Sequence, residues 1–361
     1  MCDEIWTIIG GGHGGQTFAG HMALLGKRVR LYVRDQVKVD AINKVGCITL
    51  HHAIEGMGRI EFATNDLAKA MDGASRIVVV LPSNYHDSIG RKMSPLLRDG
   101  QNVLLLPEAS CGALAFRKLL HETGCSANIV LGAACSLPYA TRTTEPGVCF
   151  VSGTKNEVKI AALPAVDNFK LLAAFNDFPG FVLAKNVIET SIDNINAMMH
   201  PAPVLLNLAR IEKEPPEEFE WYTEGMTPSL GTLLEKIDEE RIAVAEAYGI
   251  KQRTLKRNYI EMYECGDDSM PLYRLIQNNK RYVGIKNIKS IRSRYILEDV
   301  PYSLVAISAL GQVAGIPTPN IDAICLLYKS ILGDELDEGR TVKNLGIANF
   351  SKDDLLSLIN G

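Results

Sequence analysis

The sequence lacks any apolar run approaching the roughly 18 residues of a membrane-crossing helix, so no membrane span is expected. It has no long block of Lys or Arg, and the formal net charge is −4. No nucleic-acid partner is therefore expected. It has no C-x-x-C pair among its eight cysteines, Cys2, Cys47, Cys111, Cys125, Cys135, Cys149, Cys265 and Cys325. Disulfide frameworks belong mainly to small secreted domains. These thiols are expected to be reduced in a cytoplasmic protein and mostly buried as small apolar groups. The seven histidines do not cluster with the cysteines at ligand spacing, so no metal is expected, and His51-His52 reads as a polar loop or strand end. Asp3 and Glu4 lead straight into an apolar run, unlike a secretory signal. There is no internal repeat and no low-complexity segment.

What remains is a 361-residue chain, 47% hydrophobic and 22% charged, which is ordinary for globular proteins. Its length points to two domains, each able to bury its own core. The stretch that organises it is Ile5-Trp6-Thr7-Ile8-Ile9-Gly10-Gly11-Gly12-His13-Gly14-Gly15. Ile5 to Ile9 is too short for a helix and reads as a buried strand. Gly10, Gly12 and Gly15 then fall as G-x-G-x-x-G, and Phe18, Met22 and Leu25 recur at helical spacing until Gly26. Strand, glycine turn and helix in this order are the opening of a dinucleotide site. Gly10 permits the turn, Gly12 lets backbone approach a pyrophosphate, and Gly15 lets helix and strand pack closely. The N–H groups of the helix start, including those of His13 and Gly14, hold the phosphate charge. A glycine-rich turn in another α/β protein is the alternative.

Arg28 to Val33 reads as the second strand. Such sites often carry an acid near its end for the ribose hydroxyls. Here Val33 falls there, followed by Arg34, whose guanidinium suits a ribose phosphate. This points to NADP over NAD. Asp35 keeps NAD open, and Arg34 as a solvated loop charge is the bland alternative. Ile77 to Leu81 and Val103 to Leu106 are continuous apolar runs, as in parallel strands covered on both faces, with helical patterns at Asp87 to Leu97 and Ala113 to Leu120 between and after them. The alternation predicts a doubly wound sheet. The loops Pro82-Ser83-Asn84-Tyr85-His86 and Pro107-Glu108-Ala109-Ser110 leave the carboxyl ends of these strands, so they are expected near the nicotinamide. Pro82 and Ser83 are candidate cofactor contacts, although Ser83 and Asn84 could equally cap the next helix. Asn128 to Leu131, Cys149 to Val151, Val158 to Leu163 and Phe181 to Leu183 are expected to extend the sheet. The expected architecture is α/β: a Rossmann-type dinucleotide-binding domain over 1–185 and a mainly α-helical substrate domain over 186–361.

In the second half, Pro228 opens a helix with Leu230, Leu233, Leu234, Ile237, Arg241, Val244, Ala245 and Tyr248 on roughly one face, and Gly249 ends it. Glu212 to Glu218, with Pro215-Pro216 inside it, reads as a solvated loop. Asn196 and His200 are four apart and share a helix face, just before Pro201 and Pro203 perturb it. Arg294 and Asp299 form a second candidate pair, equally readable as a surface ion pair. Pattern alone does not link His200 to Asp299.

Gly10 to Gly15, Gly112 to Lys118, Asn194-Ile195-Asn196-Ala197-Met198-Met199-His200-Pro201, Tyr222 to Ser229, Asp238 to Ala243, Arg294-Tyr295-Ile296-Leu297-Glu298-Asp299-Val300 and Pro317 to Ala323 together resemble the octopine/nopaline (opine) dehydrogenase family. The resemblance runs over nearly the whole chain with its motifs in order. It implies a dinucleotide domain followed by a helical domain, with the active site in the cleft between. It implies reductive condensation of an α-keto acid with the amino group of an amino acid, giving a secondary amine dicarboxylate. It assigns His200 as proton carrier, Asp299 as its acidic partner, Arg294 to the keto-acid carboxylate and Asn196 as a hydrogen-bond donor. Imidazole titrates near neutral pH and can move protons both ways, and a carboxylate on its other nitrogen would fix the tautomer. A homodimer is also implied. The chain departs from the family's pattern at Val33, where the family has an acid, and at Pro107-Glu108, where the family has Pro-Gly. Glu108 could repel an acidic substrate or bind a basic side chain. The competing enzyme is a glycerol-3-phosphate or ketopantoate-type NADP reductase, with Lys185 as its lysine. A nucleotide sensor without catalysis is the third reading.

Overall fold

The computed structural model describes residues 4–213 and 218–361. It divides into two compact units, residues 1–191 with 357–361, and residues 192–356. The expected boundary after Lys185 is therefore displaced by the helix Val187–Ile192, nearly all of which packs with the first unit. The last five residues also return to that unit: the Asn186 amide donates to the Asn360 side chain at 3.1 Å. Cys2, Asp3 and residues 214–217 of the expected solvated loop lie outside the described residues. Glu212 and Lys213 end the helix Leu208–Lys213 and are not part of a loop.

In the first unit β1 (Ile5–Ile9) feeds α1 (His13–Leu24), β2 (Arg28–Tyr32) and α2 (Gln36–Val45). The remaining strands are β3 (Cys47–His52), β4 (Gly56–Arg59), β5 (Phe62–Thr64), β6 (Arg76–Val79), β7 (Asn102–Leu105), β8 (Val130–Ala134), β9 (Tyr139–Glu145), β10 (Val148–Thr154), β11 (Val158–Leu163) and β12 (Phe181–Leu183). Eight of them form one sheet in the order β12-β11-β8-β7-β6-β1-β2-β5. Its pairs are parallel except β8 with β11. The period of two along each strand sends alternate side chains to two separate cores. Trp6, Ile8, Val78 and Leu104 enter one, and Ile9, Ile77, Val79, Val103 and Leu105 the other. Both faces are thus covered, which is why these strands are unbroken apolar runs. Trp6 is fully buried, edge-on to Phe175 at 5.5 Å, and burial of such a side chain stabilises by about 1.5–3 kcal/mol.

The strand Cys149–Val151 does not extend this sheet. It is part of β10, which lies in a second, four-stranded sheet ordered β4-β3-β10-β9. β3, β4 and β9 were not legible as strands, because their mixed sequences bury only some positions. His51 and His52 sit at the end of β3.

The second unit is helical. Its longest helix, Pro228–Ala247, starts with the Thr227 hydroxyl accepting from the Leu230 N–H at 3.4 Å and with Pro228 in the first turn, where its missing N–H costs nothing. It buries Leu230, Leu234, Ile237, Val244 and Ala245. Buried Arg241 donates to Asp238 at 2.8 Å and to the carbonyls of Ile192 and Arg253 at 3.0 and 2.7 Å, so its charge is matched.

Candidate functional site

Two sets of residues stand out, one in each unit. In the first unit the chain leaves β1, pairs β2 on one side, and later pairs β6 on the other. The loops after β1 and β6 part at this switch point, where doubly wound sheets bind ligands. A cavity of about 390 Å³ lies there, lined by Gly10, Gly11, Gly12, Val33, Arg34 and Pro82 among others.

The glycines differ in what fixes them. Gly10 has φ +138°, and a Cβ there would strike the Val80 carbonyl. A Cβ on Gly15 would strike the Gly10 carbonyl oxygen. One on Gly14 would press on Leu137 at 2.9 Å. Backbone contacts thus require glycine at Gly10 and Gly15, whereas at Gly14 the contact is with the movable end of a side chain. Gly12 is different: a Cβ would meet nothing within 4 Å. The fold leaves that space free beside the first turn of α1, whose N–H groups have no intrahelical acceptor. A pyrophosphate fits there, and this donor-rich, side-chain-free cradle fits a dinucleotide.

Arg34, Lys38 and Lys92 also line the cavity and supply positive charge. Arg34 stands 6.0 Å from the ring centroid of Tyr85. Asp35 also lines the cavity, but its carboxylate accepts the Val37 N–H at 2.9 Å and caps α2. Val33 is buried after β2 and leaves no acid at the strand end.

Several expected contacts fall elsewhere. His13 is exposed and does not line the cavity; its Nδ1 accepts the Thr143 N–H at 2.9 Å. Partial burial, Arg142 and Lys38 hold its pKa below the usual histidine value. Ser83 is buried in the turn Ser83–Tyr85 and also stands outside the lining, whereas Pro82 is in it. His86 bonds the Leu81 carbonyl at 3.1 Å. Glu108 is not a substrate contact: it is fully buried. It accepts from the Thr190 and Ser191 hydroxyls at 2.5 and 3.2 Å and from the Ala113 N–H at 3.0 Å. Its carboxylate caps the helix Gly112–Glu122 from inside. Lys38 and Lys92 were missed, although the Arg34–Lys38 spacing of four was a readable signal, while Tyr85 of the expected loop is in the lining.

In the second unit the helix Asn196–Met199 ends at His200, and Pro201–Leu206 begins the next. Pro201 has no N–H to continue the ladder, so His200 sits at the break. Asp299 follows the helix Arg294–Leu297 and precedes a wide turn at Val300–Leu304. The Asn194 amide donates to the Ser303 hydroxyl at 3.1 Å and ties the two segments together. His200 Nδ1 then lies 2.6 Å from Asp299 Oδ2, across 99 residues of sequence. Their side chains are only 8% and 9% exposed. The carboxylate accepts a hydrogen bond from Nδ1–H, which leaves Nε2 as the exchanging nitrogen.

Aromatic rings build the rest. Tyr295 stacks on the imidazole with centroids 3.8 Å apart and planes 7° from parallel. The Tyr222 hydroxyl lies 3.2 Å from Nε2. Tyr222 stacks on Tyr282 at 4.0 Å, and the hydroxyls of Tyr282 and Tyr259 are 2.9 Å apart. Tyr222 and Tyr295 stood in the quoted motifs, but no local spacing gave them a role. Asn196 is exposed and Arg294 has 66% of its side chain exposed, paired with Glu298 at 3.3 Å. Neither is part of the buried cluster. Among the described residues no group of His, Cys, Asp and Glu could hold a metal, and no helix is long and apolar enough to cross a membrane.

A glycine cradle for a dinucleotide on a doubly wound sheet defines the class, an NAD(P)-dependent oxidoreductase, and the comparisons agree. Residues 6–107 match the NAD-dependent glycerol-3-phosphate dehydrogenase N-terminus, and residues 183–332 match the alpha-helical domain of NAD/NADP octopine/nopaline dehydrogenase. The chain is 35% identical to opine dehydrogenase of Arthrobacter sp. (strain 1C) over 351 residues, 96% of each protein. It belongs to the opine dehydrogenase family. Its fold is also that of octopine dehydrogenase solved with NADH and agmatine, with TM-score 0.82, 22% identity and 98% of both chains covered. Yersinopine dehydrogenase with NADP+ bound gives TM-score 0.70 at 16% identity, covering 100% of this chain and 99% of that one.

Proposed function

We propose that the protein reduces the imine formed between an α-keto acid and the amino group of an amino acid, releasing a secondary amine dicarboxylate. The observation that carries this is the buried His200–Asp299 pair at 2.6 Å. When bound, the reduced nicotinamide supplies the hydride. Every other demand of the reaction is for protons and for orientation. Adding the amine to the keto carbon moves a proton from nitrogen to oxygen, and expelling that oxygen as water needs another. His200 takes and returns these protons at Nε2, while Asp299 holds the tautomer and the ring's orientation. Arg294 pairs with the keto-acid carboxylate and exchanges Glu298 for it, as a guanidinium fork can. Asn196 adds a hydrogen bond to substrate.

NADP is the preferred cofactor in this proposal. Arg34, Lys38 and Lys92 gather three positive charges in the cavity, and Asp35 is engaged as a helix cap. NADH remains the comparison in every assay. The protein acts in the cytoplasm as a homodimer, which fractionation and light scattering test.

The deciding assay follows NADPH and NADH oxidation with pyruvate, 2-oxoglutarate or glyoxylate, crossed against a panel of amino acids. Oxidation that needs both a keto acid and an amino acid is expected, faster with NADPH, and abolished in His200→Ala but retained in Lys185→Ala. Oxidation with a keto acid alone, lost in Lys185→Ala, would replace the proposal with a ketopantoate-type reductase.

A further inference from the structure

We propose that Tyr222 is a further catalytic residue, a relay whose hydroxyl carries protons between His200 Nε2 and the reacting oxygen. This rests on the imine-forming reaction above.

The argument is one of elimination around a single ring. Nδ1 is committed to Asp299 at 2.6 Å, and one face of the ring is covered by Tyr295 at 3.8 Å. His200 as a whole is 6% exposed. Protons must therefore leave and enter at Nε2, and the Tyr222 hydroxyl stands on that nitrogen at 3.2 Å. With Nδ1 protonated toward Asp299, neutral Nε2 offers a lone pair and the phenol donates to it. When the ring is charged, Nε2–H donates to the phenol oxygen. A hydroxyl can do both, because it holds one proton and two lone pairs.

Tyr222 is also held in place. Its ring stacks on Tyr282 with planes 20° apart. Its turn is fixed by the Glu224 N–H on the Glu220 carbonyl at 3.0 Å, and by the Asn207 amide on the Gly225 carbonyl at 3.0 Å. A Cβ at Gly225 would strike the Trp221 carbonyl, so the turn needs glycine there. A hydroxyl fixed so firmly is suited to passing protons, and a cap that swings away would need a looser turn. Burial, with the neighbouring Tyr295, Tyr282 and Asp299, keeps the phenol well above its usual pKa. It therefore stays protonated between transfers.

The step balances. The C–N bond forms as the amine adds to the keto carbon. In the next step Nε2–H passes its proton to the Tyr222 oxygen while the Tyr222 O–H passes its own to the substrate hydroxyl. The C–O bond breaks, water leaves, and the phenol is unchanged. The imidazolium has lost one proton and water has gained it.

The test compares wild type, Tyr222→Phe, Tyr282→Phe and a protein carrying 3,5-difluorotyrosine at position 222. Tyr222→Phe is expected to lower kcat roughly 100-fold, the lower range for lost general acid–base catalysis, with KM for both substrates within about threefold. Tyr282→Phe, which keeps the stacked ring and removes only the hydroxyl bonded to Tyr259, is expected to keep most of its activity. The fluorinated phenol keeps the ring and hydroxyl but is more acidic, and is expected to move the alkaline limb of the kcat profile to lower pH. A second readout needs no turnover. In ¹⁵N-histidine NMR, with His200 identified through His200→Gln, loss of the phenol donor moves the Nε2 resonance of the neutral ring downfield. Full activity in Tyr222→Phe, an unmoved pH limb, or an unmoved resonance would overturn the relay. Wild type inert with every substrate pair would overturn the imine-forming reaction instead.

Discussion

The nucleotide cavity and the histidine cluster solve opposite problems. The cavity recognises by backbone: Gly12 presents no side chain, α1 presents N–H groups, and Arg34, Lys38 and Lys92 add positive charge to the lining. The cluster recognises by side chain, with His200, Asp299, Tyr222 and Tyr295 buried or stacked and each fixed by another. A dinucleotide is long and constant, so a fixed run of amides suffices to hold it. Proton transfer needs one nitrogen with a defined tautomer, and that takes groups brought together from distant parts of the chain.

The contrast is sharpest at Asp299. Asp299→Asn keeps the shape but removes the charge that holds the His200 tautomer, so kcat is expected to fall by about 10³–10⁴. The affinity for NADPH, followed by fluorescence titration, stays within about twofold. A comparable loss of cofactor affinity would show that the two sites are not separate in function.

The glycines test the cavity from within. Gly15→Ala sets a methyl against the Gly10 carbonyl and is expected to cost about 1–3 kcal/mol or more of stability, read as a clear fall in Tm or as loss of folded protein. Gly12→Ala meets no protein atom, so its Tm is expected to hold. The same methyl displaces the pyrophosphate, and NADPH affinity falls roughly tenfold, equivalent to about 1.4 kcal/mol. Equal effects of the two substitutions would remove the distinction between a packing glycine and a binding one.

Arg34→Ala is a smaller change, at an exposed side chain of the cavity lining. It is expected to raise KM for NADPH about tenfold and leave NADH nearly unaffected, as for one charge-assisted hydrogen bond. An equal change for both cofactors would make Arg34 a solvated loop charge.

His13 is expected to matter least. Its ring accepts the Thr143 N–H, which requires an unprotonated Nδ1. Its folded pKa lies below the unfolded value, so the unfolded chain takes up this proton first as pH falls. The contribution is present above about pH 6.5 and is lost as pH drops below it toward the folded pKa. His13→Ala should flatten that part of the Tm–pH profile, shift Tm by no more than about 2 °C, and leave NADPH affinity almost unchanged. A large loss of affinity would return His13 to the cofactor contacts.

How much of this was readable follows from how far apart the cooperating residues lie. Gly10, Gly12 and Gly15 announce a turn within six positions, and β1, β6 and β7 announce burial on both faces by unbroken apolar runs. β3, β4 and β9 alternate imperfectly and pair in a second sheet, so local pattern gave no sign of them. Glu108 looked like a substrate contact because it leaves the end of a parallel strand. Only the hydroxyls of Thr190 and Ser191, far along the chain, show that its carboxylate is engaged inside the protein.

By itself the sequence determined the strand–glycine–helix opening, the doubly wound class, the helix Pro228–Ala247 and, through its motifs, the family. Each is a matter of neighbours along the chain, where sterics and hydrophobic period act directly. The pairing of His200 with Asp299 was implied by the family's motifs and by no local pattern; tertiary structure alone decided its 2.6 Å distance, that Tyr222 stands at the Nε2 nitrogen, and that the last five residues return to the first unit. Those outcomes depend on which distant surfaces pack together, and no short-range rule fixes the distance between two side chains 99 residues apart.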